Sequence, residues 1–410
     1  MNTYAIIIVA ALAVDYVLNI VADILNLKAM KKEIPDDFQS VYDEDDYRKS
    51  QEYTKEGTKF GLLTTTFDMA LLFVFWFSGG FNWLDQMIRG FGYSDLVNGL
   101  LFIGVLSVVK SLISLPFSLY STFVIEEKYG FNNTSTGTFF ADLLKGLGLG
   151  VVIGLPILAL ILWVFQSLGT WAWLYGWIAV TLFSLIMQYV APMWIMPLFN
   201  KFEPLEDEEL RKMIMNYAEK VKFSLTNIFV MDGSKRSSKS NAFFTGFGKH
   251  KRVALFDTLI EKHTKKELLL VLAHEIGHYK HKHIVKNMVI STAHTGVLFF
   301  LLGIFLNDTA LFDAFYMQEM SVYVGLLFFG LLYTPVEMIL GLGMNLLSRK
   351  HEFEADAFAA QTTGEAETMV QALKKLSKDN LSNLTPHPFY VLLHYSHPPV
   401  RERIQALSTH

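Results

Sequence analysis

Apolar runs of about twenty residues recur along the chain, near 3–26, 60–78, 98–124, 143–165, 171–198, 285–306 and 322–347. Roughly 20 apolar residues in a helix cross the hydrocarbon core of a bilayer, so the pattern predicts seven membrane spans. The first run lacks a basic leader and is long enough to span, which predicts a retained helix rather than a cleaved signal. Pro192 and Pro197 predict a bend or a stop near the end of the fifth run, since proline removes a helix donor and crowds the preceding turn.

Charge gives these spans a direction. Residues 27–59 carry seven Lys and Arg, 125–142 carry only Lys128, and 199–284 carry sixteen. The alternate loops are nearly bare: 79–97 has Arg89 alone, and 166–170 and 307–321 have none. The positive-inside rule then places the N-terminus outside and the C-terminus in the cytoplasm. Asp15, Asp23, Asp68, Lys110 and Glu337 fall within the runs. Asp23 and Lys110 lie close enough to span ends to reach the interface, whereas Asp68 and Glu337 imply that the membrane part encloses something wet.

Two polar stretches remain, 199–284 and 348–410, and the chain divides into a membrane region (1–198, five spans) and a second region (199–410) that contains spans six and seven. Within the first stretch the pattern predicts a helix at about 206–222, strands at NIFVM (227–231), NAFFTGF (241–247) and RVALFD (252–257), and a helix from Lys265. The 27–59 loop, with its DEDD run, reads as a solvated charged segment.

The chemistry concentrates in VLAHEIGHYKHKH, residues 271–283. On a helix, His274 and His278 share a face and can present two imidazoles to one ion, with Glu275 beside them as the base that deprotonates a water. A catalytic zinc usually takes three protein ligands. RKHEFEADAFAA supplies candidates: Glu352 to ligate, and Asp356, four residues on, to accept the ring N–H of a liganding histidine, His274 or His278. Glu354 points the other way round that helix and reads as a solvated acid. His281 lies too far along the helix to touch the same ion, and His283 faces elsewhere; both read as polar residues at a helix end near the membrane.

Composition narrows the classes. The chain of 410 residues is 52% hydrophobic and only 18% charged, below the roughly 25% of soluble proteins. A net charge of -4 excludes nucleic acid as the main partner, and the absence of cysteine excludes disulfides, thiolate nucleophiles and Cys-bound metals.

SNAFFTGFGKHKRVALFDTLIEKHTKKELLLVLAHEIGHYKHKH, HEFEADAFA and HYSHPPVRERIQAL resemble, in that order, the integral-membrane zinc proteases of the CAAX prenyl endopeptidase type, the Ste24-like branch of the M48 metallopeptidases. LPFSLYSTFVIEEKYGFNNTSTGTFFAD fits the membrane region of that branch. The resemblance implies a multi-pass α-helical membrane protein whose seven transmembrane helices form a chamber, capped by a gluzincin-like α+β zinc metalloprotease domain on the cytoplasmic side. It implies one Zn2+ per chain on His274, His278 and Glu352, Glu275 as the catalytic base and Asp356 behind a ligand. It further implies that Asn241, with Ala242 and Phe243 on the same strand, binds substrate backbone and that His397 assists the transition state. The expected partners are a peptide or protein substrate, possibly prenylated, and membrane lipid, with a monomer sufficing. Short loops and a tail, ALSTH, without an ER-retrieval signal favour a prokaryotic plasma membrane over the ER. The competing readings are a membrane quality-control protease without CaaX specificity and a zinc-stabilised transporter or scaffold.

Overall fold

Residues 2–245 and 252–408 are described by a computed structural model. Among them, six helices are long and apolar enough to cross a membrane: Thr3–Ala29, Glu44–Phe77, Asp95–Glu126, Thr136–Ser167, Gly169–Phe199 and His283–Phe305. A seventh span is a pair, Val322–Leu332 and Thr334–Thr363, bent by 55°. Pro335 opens the second member, where its missing N–H costs nothing. The fifth span does not stop at Pro192: it widens into a π-turn over Ala191–Ile195, which accommodates the lost donor, and stays helical to Phe199.

The 27–59 segment departs from its expected solvated state. The second span begins at Glu44, where Asp43 caps the helix by accepting from the Asp46 N–H (2.7 Å) and Glu44, Asp45 and Asp46 fill the first turn. The acidic run is thus a helix start, favoured by the backbone dipole. Phe38, Tyr42 and Tyr47 around it are buried against Leu270, Ala360, Leu373 and Ile404.

The loops sort onto two ends. At one end, Ser237 and Asn132 form a β-bridge, Arg236 pairs with Asp142 (2.7 Å) and Lys239 with Glu126 (2.9 Å), and Lys239 also donates to the Tyr53 hydroxyl (2.8 Å), so the Lys- and Arg-rich segments 27–59 and 199–284 meet there with 125–142. At the other, the indole of Trp76 donates to Ala314 O (2.8 Å), and Phe81, Phe315 and Phe328 stack into one core. Arg89 answers the buried Asp85 there (2.9 Å) and reaches Glu319 (3.1 Å). The second and third spans are largely uncovered, and on two sides. Asp68 and Lys110 pair with each other on one side, while exposed Leu63 and Val74 on the second span, and Leu101 and Leu112 on the third, project roughly opposite them.

Between spans five and six lies a four-stranded sheet: β1 (Phe202–Pro204), β2 (Asn227–Met231), β3 (Ala242–Thr245) and β4 (Arg252–Phe256), in the order β1-β2-β4-β3. The β2–β4 pairing is parallel and the other two antiparallel, which leaves β3 at an edge. Gly246 and Phe247, the tail of the expected strand, lie outside the described residues. Helix Glu208–Lys220 and helix Lys265–Lys280 pack their apolar faces on this sheet, burying Ile214, Ile228, Leu255, Leu272 and Ile276.

Helix Lys265–Lys280 starts on a capping box: the Thr264 hydroxyl accepts from the Glu267 N–H, and the Glu267 carboxylate accepts from the Thr264 N–H. It ends short of the sixth span rather than running straight into it. Lys282 takes a left-handed conformation (φ 58°) and breaks the helix. On its far face small residues let helix Thr334–Thr363 approach closely; a Cβ on Gly277 would sit 3.0 Å from the Ala355 Cα and 3.1 Å from its carbonyl oxygen. We expect Gly277→Val to cost about 1–3 kcal/mol through overpacking, read as a lower thermal midpoint of the detergent-solubilised protein. An unchanged midpoint would mean that the two helices are free to separate.

Candidate metal centre

Those two helices carry the candidate ligands. The i, i+4 spacing turns the His274 and His278 rings toward each other, with their Nε2 atoms 3.1 Å apart. Glu352, from the facing helix, places Oε2 3.4 Å from His274 Nε2 and Oε1 3.2 Å from His278 Nε2. Tetrahedral ligation with bonds of about 2.0–2.1 Å sets ligand atoms about 3.3 Å apart, so the three edges match a zinc-sized ion. Glu352 Oε2 is also buried without a hydrogen-bond donor. A buried carboxylate oxygen left so is costly, and a cation between the three atoms removes the cost.

The His274 imidazole is held from behind. His274 Nδ1–H donates to Asp356 Oδ1 (2.8 Å), which leaves Nε2 free to ligate. Asp356, itself buried, accepts two bonds from Arg403, Nε to Oδ2 (2.7 Å) and Nη2 to Oδ1 (2.6 Å). The guanidinium Nη1 lies 3.6 Å from Glu352 Oε2, so one arginine faces both acids. Burial disfavours charge on His274, but the carboxylates of Asp356 and Glu352 outweigh it and raise the metal-free side chain to about 9. Burial also raises Glu275 above the ordinary carboxyl range, against the pull of the His274 and His278 rings.

The remaining expected residues fall as follows. His397 is exposed, with Nε2 3.4 Å from Glu352 Oε1, and so borders the trio. Asn241 precedes β3; its side-chain oxygen accepts from the Ala242 N–H (2.8 Å) and its backbone carbonyl from the Phe256 N–H (3.1 Å). Ala242 and Phe243 pair with Leu255 and Ala254, on the β4 side of the edge strand.

Two readings need correction. Glu354 is not a free solvated acid: Oε2 accepts from His283 Nε2 (2.8 Å). His283 does stand at a helix end, as the first residue of His283–Phe305, but it does not face elsewhere: it is 2% exposed, with Nδ1 2.9 Å from His278 Nδ1. Straight-helix geometry directs His283 away from the ligands; the left-handed Lys282 redirects it. Arg403, within HPPVRERIQAL, has a role that its sequence neighbourhood does not reveal, because nothing local says that an arginine of the last helix will meet an acid 47 positions earlier. Its one signal is that it shares a short segment with His397.

Residues 23–201 match the model of the CAAX prenyl protease N-terminal region with its five membrane helices, and residues 204–410 match that of peptidase family M48. The chain is 36% identical to CAAX prenyl protease 1 of Saccharomyces cerevisiae, over 93% of this chain and 89% of that protein. It is 36% identical to a CAAX prenyl protease 1 homolog of Arabidopsis thaliana (98% and 96% covered) and 34% to one of Homo sapiens (92% and 89%). The crystal structure of S. mikatae Ste24p superposes with a TM-score of 0.94 at 34% identity, covering 99% of both chains. These relatives are eukaryotic and lend no weight to a prokaryotic plasma membrane.

Asp356→Ala should weaken zinc retention by roughly 10–100-fold in a chelator titration, because the His274 ring loses its acceptor. Unchanged retention would remove Asp356 from the site. Zinc uptake must displace the proton that holds metal-free His274 charged up to about 9. Apparent affinity should therefore climb as pH rises from 6 toward 9, with proton release measurable by indicator dye at neutral pH.

Proposed function

The chain belongs to peptidase family M48, with the five-helix N-terminal region of the CAAX prenyl proteases, and is a multi-pass membrane metalloendopeptidase; from that premise we propose that it uses zinc to cleave membrane-associated peptides, prenylated CaaX-type sequences among them. The observation that carries this reading is the trio of His274 Nε2, His278 Nε2 and the Glu352 carboxylate, whose Oε2 lacks a hydrogen-bond donor, beside a half-buried Glu275. Zinc bound there would supply Lewis-acid chemistry, polarising the scissile carbonyl and making a water acidic near neutral pH.

The protein's own groups divide the rest of the work. Glu275 takes the proton of the attacking water and returns it to the leaving amine. Its raised proton affinity suits both halves of that exchange. Asn241, Ala242 and Phe243 form an open strand edge on which an extended peptide adds as a further strand, bound through backbone and therefore tolerant of sequence. His397, exposed at the border of the trio, donates to the developing oxyanion, a contact often worth about 3 kcal/mol.

The meeting of the Lys- and Arg-rich segments 27–59 and 199–284, through Lys239 and Tyr53, at the metal end supports a cytoplasmic active site and an external N-terminus. The Asp68–Lys110 pair, turned away from the apolar outer faces of its helices, supports a water-filled chamber within the spans. The preference for a prenyl group rests on the names of the relatives alone.

Glu275→Gln should lower hydrolysis of a quenched CaaX-type peptide by roughly 10²- to 10⁴-fold while one zinc per chain is retained by elemental analysis. Undiminished turnover in the zinc-loaded variant would falsify the assignment of the base. Farnesylated and unmodified versions of the same peptide, compared for kcat/KM, separate CaaX specificity from general cleavage at the membrane.

A further inference from the structure

His278 has a support that nothing above assigns, built from two residues that the helical pattern had set aside. The left-handed Lys282 ends the ligand helix and turns the chain so that His283, five residues after His278, comes back beneath it. Its ring is 2% exposed and stacks on His351, with centroids 3.8 Å apart and planes within 12°. Nδ1 lies 2.9 Å from His278 Nδ1, and Nε2 lies 2.8 Å from Glu354 Oε2.

The protons of this chain have one consistent arrangement. His278 Nε2 faces the metal trio and must stay bare to ligate, so the His278 proton sits on Nδ1. Two nitrogens at hydrogen-bond distance cannot both donate, so His283 Nδ1 accepts, its own proton sits on Nε2, and Glu354 accepts that. We propose that His283 and Glu354 are positioning residues that fix the tautomer and ring plane of His278, as Asp356 and Arg403 do for His274. One helix, Thr334–Thr363, would then contribute the third ligand and, at Glu354 and Asp356, the carboxylate behind each of the other two. The inference rests on the reading of His274, His278 and Glu352 as metal ligands.

The same atoms allow a rival. His281, His283 and Glu354 offer three ligating atoms within 4.8 Å of one another, the makings of a second metal site. The hydrogen-bonded arrangement is favoured on two grounds. The His281 and His283 rings lie parallel, within 16°, rather than converging, and Lys350 already approaches the other Glu354 oxygen (3.8 Å).

The test is a chelator competition on the full-length protein in detergent, reading bound zinc by elemental analysis against graded dipicolinate. His283→Phe, which keeps a buried ring but no acceptor, should lose zinc at roughly 10- to 100-fold lower chelator concentration, with one zinc per chain still bound at saturation. His283→Asn, whose side-chain oxygen can stand near the position of Nδ1, should recover most of that loss, and Glu354→Leu should fall between. A role in packing alone would move the thermal midpoint of the metal-free protein and would not separate Asn from Phe. The relay is overturned if His283→Phe holds zinc as the parent does, or if Asn rescues no better than Phe. It is also overturned, in favour of the second site, if the parent binds two zinc ions and both His281→Ala and Glu354→Leu bind one. Full zinc retention in His278→Ala would instead overturn the ligand assignment, and the relay with it.

Discussion

Two helices meet backbone to backbone where Gly277 faces Ala355, and the candidate metal centre comes together because they can approach that closely. Side chains at that contact would push the helices apart by the width of a methyl group or more. The gaps among His274, His278 and Glu352, now 3.1 to 3.4 Å, would open with them. Ala273 and Ala359, both buried, extend the same thin interface by a turn. Small residues here perform the task that bulky complementary ones perform in an ordinary core: they set a distance, and the ligands inherit it.

That closeness brings negative charge together in a dry place. Glu352 and Asp356 are buried on one helix turn, with Glu275 partly buried opposite, and carboxylates so placed are stable only if cations answer them. Arg403 answers Asp356 with two bonds and leans toward Glu352. The histidines complete the balance in the metal-free protein, which is why His274 holds its proton to about 9. A divalent ion replaces that proton with a larger charge at the point where the acids converge. The protonated, metal-free site is thus a weaker version of the loaded one, built on the same geometry.

Much of this was legible in the chain. The seven spans stand out because a bilayer demands a fixed length of apolar helix, and β2 falls on the stretch read from NIFVM because a β-branched run between polar flanks has few other uses. The convergence of His274 and His278 was legible because HExxH is a local geometric statement, four residues being about one turn. What escaped depended on contacts between distant segments or on a backbone exception. DEDD looked solvated because acids usually are, yet it opens a helix whose aromatic neighbours, Tyr42 and Tyr47, cover Leu270. His283 was misplaced by the assumption of a continuous helix, and a lysine with positive φ gives no warning in the sequence. Arg403 acquires its partners only when the last helix folds back on Thr334–Thr363.

The order in which these parts are synthesised has its own significance. His274 and His278 emerge before the sixth span, Glu352 and Asp356 within the helix that completes the seventh, and Arg403 later still. A nascent chain whose last two spans have not been inserted holds only two of the three candidate ligands and lacks the arginine that pairs with Asp356. The candidate site is therefore assembled late, by a chain already threaded through the bilayer, and a half-inserted protease has no complete blade.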